Sequence, residues 1–193
     1  MEGRRMKKSG IVKTVIIGII LAALVVGYFY YLSGKGKESD EEVVESTAVQ
    51  AVLMRDLDKN YPPTPKEVVK YFNEISKCFY NEKYTESELY DLAIKIQGIY
   101  DDELVANKSE EQYLKDLQSD IDDMKNQDRS LSSYELSAST DVEEFVENGY
   151  SCARLYCTYN IRQGTKMISS RVVFILRKDD NGHWKIYGWD LDN

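Results

Sequence analysis

Three patterns of apolar residues follow one another along this chain. The first is a run from Thr14 to Gly34 without a single charged residue. An α-helix crosses about 30 Å of hydrocarbon with roughly 20 apolar residues, so this run predicts a transmembrane helix over 14–34. It lacks the polar stripe that a buried core helix of a globular domain would carry. It is also longer than the apolar region of a cleaved signal peptide, and it ends in Tyr28, Phe29, Tyr30 and Tyr31, rings that suit headgroup level.

The second pattern has the helical period. After a polar, Gly-containing spacer (SGKGKESDEEVVES), Val49, Val52, Leu53 and Leu57 predict a short helix or an arm lying on the domain, ended by Tyr61-Pro62-Pro63. Residues 35–60 therefore read as a juxtamembrane linker and arm. Thr64-Pro65-Lys66-Glu67 then supplies an N-cap hydroxyl, a proline at the first helical position and Glu at N3. The helix it opens carries Val68, Phe72, Ile75 and Phe79 on one face, widened by Tyr71 and Cys78, and runs to about Asn81. Two further capping boxes, Thr85 to Glu88 and Ser109 to Gln112, open helices whose apolar faces carry Leu89, Leu92, Ile96 and Ile99, and Leu114, Leu117, Ile121 and Met124.

Beyond Arg129 the period falls to about 2. Leu131 to Ser137 predicts a strand, and Ala153, Leu155, Cys157, Tyr159 and Ile161 alternate along a longer one. Gln163-Gly164 turns the chain into Lys166–Lys178, and Asp179-Asp180-Asn181-Gly182 turns it into His183–Leu191. Asp141 to Asn148 fits a helical turn or a short strand. Helices first and strands afterwards predict an α+β fold, with about three helices on an antiparallel sheet of about four strands over residues 61–193, behind the N-terminal transmembrane helix.

Charge orients this arrangement. Five basic residues (Arg4, Arg5, Lys7, Lys8, Lys13) against Glu2 make a +4 tail before residue 14, which leaves −12 on the rest of a chain whose net charge is −8. The excess of positive charge predicts a cytoplasmic tail at 1–13 and an extracytoplasmic domain at the cell membrane. An acidic domain excludes nucleic acid as a partner.

Chemistry-bearing residues are sparse. His183 is the one histidine and begins a hairpin strand beside a turn; no Ser-His-Asp or Cys-His arrangement accompanies it. Asp179-Asp180-Asn181-Gly182 fails the calcium-loop spacing, since position twelve is Asp190. Cys152 and Cys157, at odd spacing on one strand, point to opposite faces and cannot bridge each other. With Cys78 they read as small buried residues, a bridge from Cys78 to one of them being the alternative. No catalytic residue, cofactor site or metal site is predicted.

The order of helices and a closing strand WKIYGWDL resemble the NTF2-like (cystatin-like, SnoaL-like) α+β cone, which implies a curved sheet. The chain also resembles an uncharacterised family of single-pass proteins of clostridial Firmicutes, a domain of unknown function. The residues that carry the likeness are Asn60-Tyr61-Pro62-Pro63-Thr64-Pro65 leading into Glu67–Asn73, then Asp101–Leu104, Ser133–Leu136, and Leu176 through Trp184 to Tyr187-Gly188-Trp189. They imply a Gram-positive envelope location and no known activity.

Five of the 15 tyrosines, Tyr71, Tyr134, Tyr156, Tyr159 and Tyr187, are the candidates to line the mouth of such a cone; the alternative is that they fill core and edge. Met167, Val173 and Ile175 lie opposite the Phe174 face, which predicts either cover by the arm at 47–57 or an interface for a protein partner or a second copy. The expected function is a membrane-anchored, non-catalytic binding or assembly module of the cell envelope. The alternative is a small-molecule-binding protein or enzyme using a carboxylate or tyrosine deep in the cone.

Overall fold

The structure, a computed structural model, describes residues 47–192. Five helices come first: α1 (Ala48–Leu53), α2 (Pro65–Asn81), α3 (Glu86–Gln97), α4 (Asp102–Ala106) and α5 (Glu110–Asn126). Five strands follow: β1 (Arg129–Leu136), β2 (Glu143–Glu147), β3 (Tyr150–Gln163), β4 (Lys166–Lys178) and β5 (Trp184–Leu191).

Two parts of the expected fold class are corrected. The sheet has five strands and the helical layer has two short helices beyond the three long ones. The membrane helix, first element of that fold class and basis of a single-pass, signal-anchored reading, is not part of the observed architecture. Among the described residues no helix is long and apolar enough to cross a membrane, and the run at 14–34 lies outside the described residues.

The long helices begin where their side chains can satisfy the orphan N–H groups of a first turn. Thr64 Oγ1 accepts from Glu67 N (3.2 Å), Thr85 Oγ1 from Glu88 N (3.2 Å) and Ser109 Oγ from Gln112 N (3.2 Å). At Thr85 the box is reciprocal, with Glu88 accepting the Thr85 N–H at 2.8 Å. At Ser109 it is half made, because the Gln112 amide turns instead to Asp116.

β3 is the spine of the sheet. Along one edge its second half pairs with β1 and its first half with β2; along the other it pairs with β4, which pairs with β5. The β2–β3 hairpin turns at Asn148-Gly149, both at positive φ (51° and 85°), as a two-residue type I′ connection requires. The register slips at Ser132 on β1, between Leu131 and Ser133, and at Tyr187 on β5, opposite Ile175 and Leu176 of β4. Each irregularity bends its strand, which gives the sheet its curvature.

One face of the sheet meets the helices. Leu155, Phe174, Leu176 and Ile186 are fully buried there against Val68, Ile75 and Leu92. α1 belongs to this core, since Val49 and Val52 are buried and Val52 O accepts the Tyr71 hydroxyl at 3.1 Å. The arm therefore packs on helices and leaves the outer sheet face alone. Arginines cover that face instead: Arg171 lies 4.2 Å from the Tyr156 ring centroid, and Arg177 lies 4.4 Å and 4.7 Å from those of Tyr150 and Tyr187.

The β5 edge is capped by the chain between α3 and α4. Ile186 N–H donates to Ile99 O (2.8 Å) and Asp101 N–H to Ile186 O (2.9 Å), a one-residue parallel bridge. Gly98, at the end of α3, leaves room for Leu57, whose Cδ1 would lie 2.9 Å from a Cβ there.

Candidate functional site

α2 has two working faces. Tyr71, Ile75 and Cys78 point into the helix-side core, while Phe72, Ser76 and Tyr80, spaced by four, line a hollow between helices and sheet. A hollow of about 310 Å³ is closed by Tyr100, Leu104, Tyr113 and Leu117 on the helical side and by Trp189 on β5. A second, of about 240 Å³, shares Phe72, Ser76, Tyr80 and Trp189 with it and reaches Tyr159, Ile161 and Phe174 of the sheet. The common walls make them adjoining parts of one apolar space.

Aromatic contacts build these walls. The Phe72 ring centroid lies 5.3 Å from Trp189, 5.4 Å from Phe174 and 6.3 Å from Tyr100. Tyr100 and Trp189 lie 5.7 Å apart. Trp189 is brought inward by its register with Phe174 yet remains 45 % exposed, so the indole forms a wall with one side in water. Behind the wall, Tyr159 is anchored in the core: Asn73, fully buried, accepts the Tyr159 hydroxyl at 2.6 Å and donates to Cys157 Sγ at 3.6 Å. Burial, with the neighbouring Cys157, holds the Tyr159 phenol far above the ordinary range.

At the mouth stand Asp116, Asp120 and Lys108. Lys108 forms its ion pair with Asp116. The Asp120 carboxyl is pushed up, first by burial and then by Asp116 and Asp123, with Lys108 opposing. Burial also raises the Tyr80 and Tyr113 phenols to about 12. These tyrosines are neutral hydrogen-bonding groups at physiological pH.

The five tyrosines expected to line a cone are separated by the fold. Tyr159 reaches the hollow. Tyr71 is spent on Val52 in the core, and Tyr134, opposite Tyr159 on β1, lies under Lys77 at 5.2 Å from its ring. Tyr156 is on the outer sheet face under Arg171, and Tyr187 donates to Glu103 on that same face at 3.2 Å. The residues that sequence reasoning missed, Tyr80, Tyr100, Tyr113 and Trp189, come from α2, the α3–α4 connection, α5 and β5. The legible signal was the second stripe on α2, Phe72-Ser76-Tyr80.

Elsewhere the chemistry is structural. His183 stacks on Tyr61 at 4.2 Å, and Tyr61 donates to Trp184 O at 2.9 Å, so the histidine helps to seat the segment before α2. All three cysteines are free and buried, with Cys152 on the outer sheet face and Cys157 on the helix side. Among the described residues no group of three or more His, Cys, Asp or Glu side chains is placed to hold a metal ion.

Fold and site together define an α+β domain with helices on one face of a curved antiparallel sheet and an aromatic-walled hollow between the layers. The chain belongs to the family described as domain of unknown function (DUF6715), whose family model matches residues 4–189. A comparison with the curated proteins finds no match.

Proposed function

We propose that the domain is a non-catalytic binding module whose site is the hollow between α2, α5 and the sheet, and whose ligand is a small, largely apolar molecule. The observation that carries this is the hollow itself: about 310 Å³ in its larger part, walled by Phe72, Tyr100, Trp189 and Phe174 and fringed by a few hydroxyl and carboxylate groups. Apolar walls with a few convergent polar groups are what small-ligand sites offer. The finer likeness to an NTF2-like cone belongs to this proposal, supported by the bulged sheet and the helices on one face. So does an extracytoplasmic place in a Gram-positive envelope, which protease shaving of intact cells would test.

Catalysis has less support. The histidine is engaged by Tyr61 away from the hollow, and of the two carboxylates at the mouth Asp116 is held low by Lys108 and Gln112 while Asp120, pushed up, has no histidine partner there. Docking of a protein partner or a second copy on the outer sheet face also has less support, because Arg171 and Arg177 already cover its aromatic rings.

The test is titration of the full chain with the neutral fluorophore N-phenyl-1-naphthylamine. Saturable binding is expected, and it should be lost in Ser76→Phe, which places a ring between the two parts of the hollow. Unchanged dye binding by a folded Ser76→Phe variant, or no binding by the parent chain, overturns the reading.

A further inference from the structure

Resting on that reading, we propose that the hollow selects an organic cation, an ammonium group carrying an apolar body, with the aromatic walls taking the substituted head group and the body and Asp120 facing the charge.

Three features of the site converge on this class. The first is the walls. Ring faces carry negative potential and attract an ammonium within about 6 Å of their centroids, with indole the strongest. Trp189, Tyr100 and Phe72 sit 5.3–6.3 Å from one another around one space, close enough for a single bound group to touch more than one ring.

The second is charge. The mouth holds two carboxylates and one lysine, and that lysine is committed to Asp116. Asp120 is left facing the hollow with no cation paired to it among the described residues. An anionic ligand would meet this carboxylate; a neutral one would leave it uncompensated; a cation pairs with it.

The third is the condition of the carboxyl group. Asp120 faces Asp116 and Asp123 on its own helix, Lys108 from the segment before α5, and Tyr80 from α2. Negative neighbours outnumber the single positive one, and the ionised form is held at a cost that a bound cation would relieve. Strong hydration of a small ammonium opposes entry, so a bulky substituted ammonium suits an apolar hollow better than a primary one.

The experiment is displacement of N-phenyl-1-naphthylamine from the full chain by choline and by its uncharged isostere 3,3-dimethylbutan-1-ol, which differ in one atom of the head group. Choline is expected to displace the dye at about tenfold lower concentration, on the scale of a cation–π contact reinforced by a carboxylate. The advantage should grow as pH rises through the Asp120 titration and collapse in Asp120→Asn, while the isostere is indifferent to both. Because Asp120 is solvent-exposed, that variant folds. Equal displacement by the two compounds, or a choline advantage untouched by Asp120→Asn, overturns the inference and leaves the binding reading intact. Absence of dye binding overturns both together.

Discussion

Arg177 on β4 donates to both carboxylate oxygens of Asp101, Nε to Oδ2 at 2.8 Å and Nη2 to Oδ1 at 2.6 Å, and so ties the sheet to the N-cap of α4. The guanidinium side chain is 15 % exposed and the carboxylate 6 %. Glu103 takes a third donor at 2.9 Å, and the Tyr150 and Tyr187 rings flank the cation. This clamp fixes the α3–α4 connection against β5 and thereby fixes Tyr100, one wall of the hollow.

Removal of the arginine strands a buried carboxylate. Arg177→Met is expected to destabilise the domain by ~3–5 kcal/mol, because a buried charge without its partner is costly. Arg177→Lys keeps the charge and loses the two-pronged geometry, so it should fall between the two. Urea unfolding followed by far-UV circular dichroism measures both; a loss under 1 kcal/mol in Arg177→Met would contradict the clamp.

The Asn73–Tyr159 pair makes a second prediction. Tyr159→Phe removes the hydroxyl that satisfies a fully buried amide oxygen and should cost ~1–3 kcal/mol. Asn73→Val in the same background should recover part of it, since the orphaned polar group is then gone. A double-mutant cycle that shows no coupling would contradict the assignment.

Asp120 gives a pH dependence whose sign is set by its raised titration. A carboxyl pKa higher in the folded than in the unfolded chain means that the folded chain binds the proton more readily. Stability therefore falls as pH rises from the ordinary value of 3.8 through the folded value, and the full penalty persists above it. Asp120→Asn should be the more stable protein at neutral pH, by ~0.5 kcal/mol at most given its solvent exposure, with the difference fading below pH 3.8. Thermal unfolding of both proteins across this range checks the sign.

The two tryptophans should separate spectroscopically. Trp184 is 4 % exposed and Trp189 45 %. Trp184→Phe is expected to leave a red-shifted emission that acrylamide quenches readily, and Trp189→Phe a blue-shifted one that resists it. Ligands of the hollow should protect the first variant's emission and leave the second unaffected.

Local signals for the fold were strong wherever neighbouring residues specify the backbone. The three capping motifs located all three long helices to within a residue or so at their starts, since each cap is closed by groups three positions apart. The Lys166–Lys178 strand coincides with its prediction because alternation with period 2 and the Gln163-Gly164 turn bound it. The ambiguity at Asp141–Asn148 was resolvable: Asn148-Gly149 is a strong two-residue hairpin signal, and it points to β2 pairing with β3. Val49, Val52, Leu53 and Leu57 leave a short helix and an arm both open within residues 35–60; Ala48–Leu53 is a helix, and only the burial of Val49 and Val52 reveals it as core.

By itself, then, the sequence determined the α+β class, the long helices and the main strands, because caps, turns and periodicity are properties of neighbouring residues. It also determined that Cys152 and Cys157 face opposite ways, a consequence of strand alternation alone. Tertiary structure decided the site. Trp189 meets Phe72 and Tyr100 only through the register of β5 on β4, and the bulge at Tyr187, opposite Ile175 and Leu176, settles which way Tyr187 and Trp189 face. Of five tyrosines alike in sequence, four were claimed by the core, by the sheet edge or by stacking arginines. A side chain's neighbours in space, and not its spacing along the chain, decide whether its ring fills a core or walls a hollow.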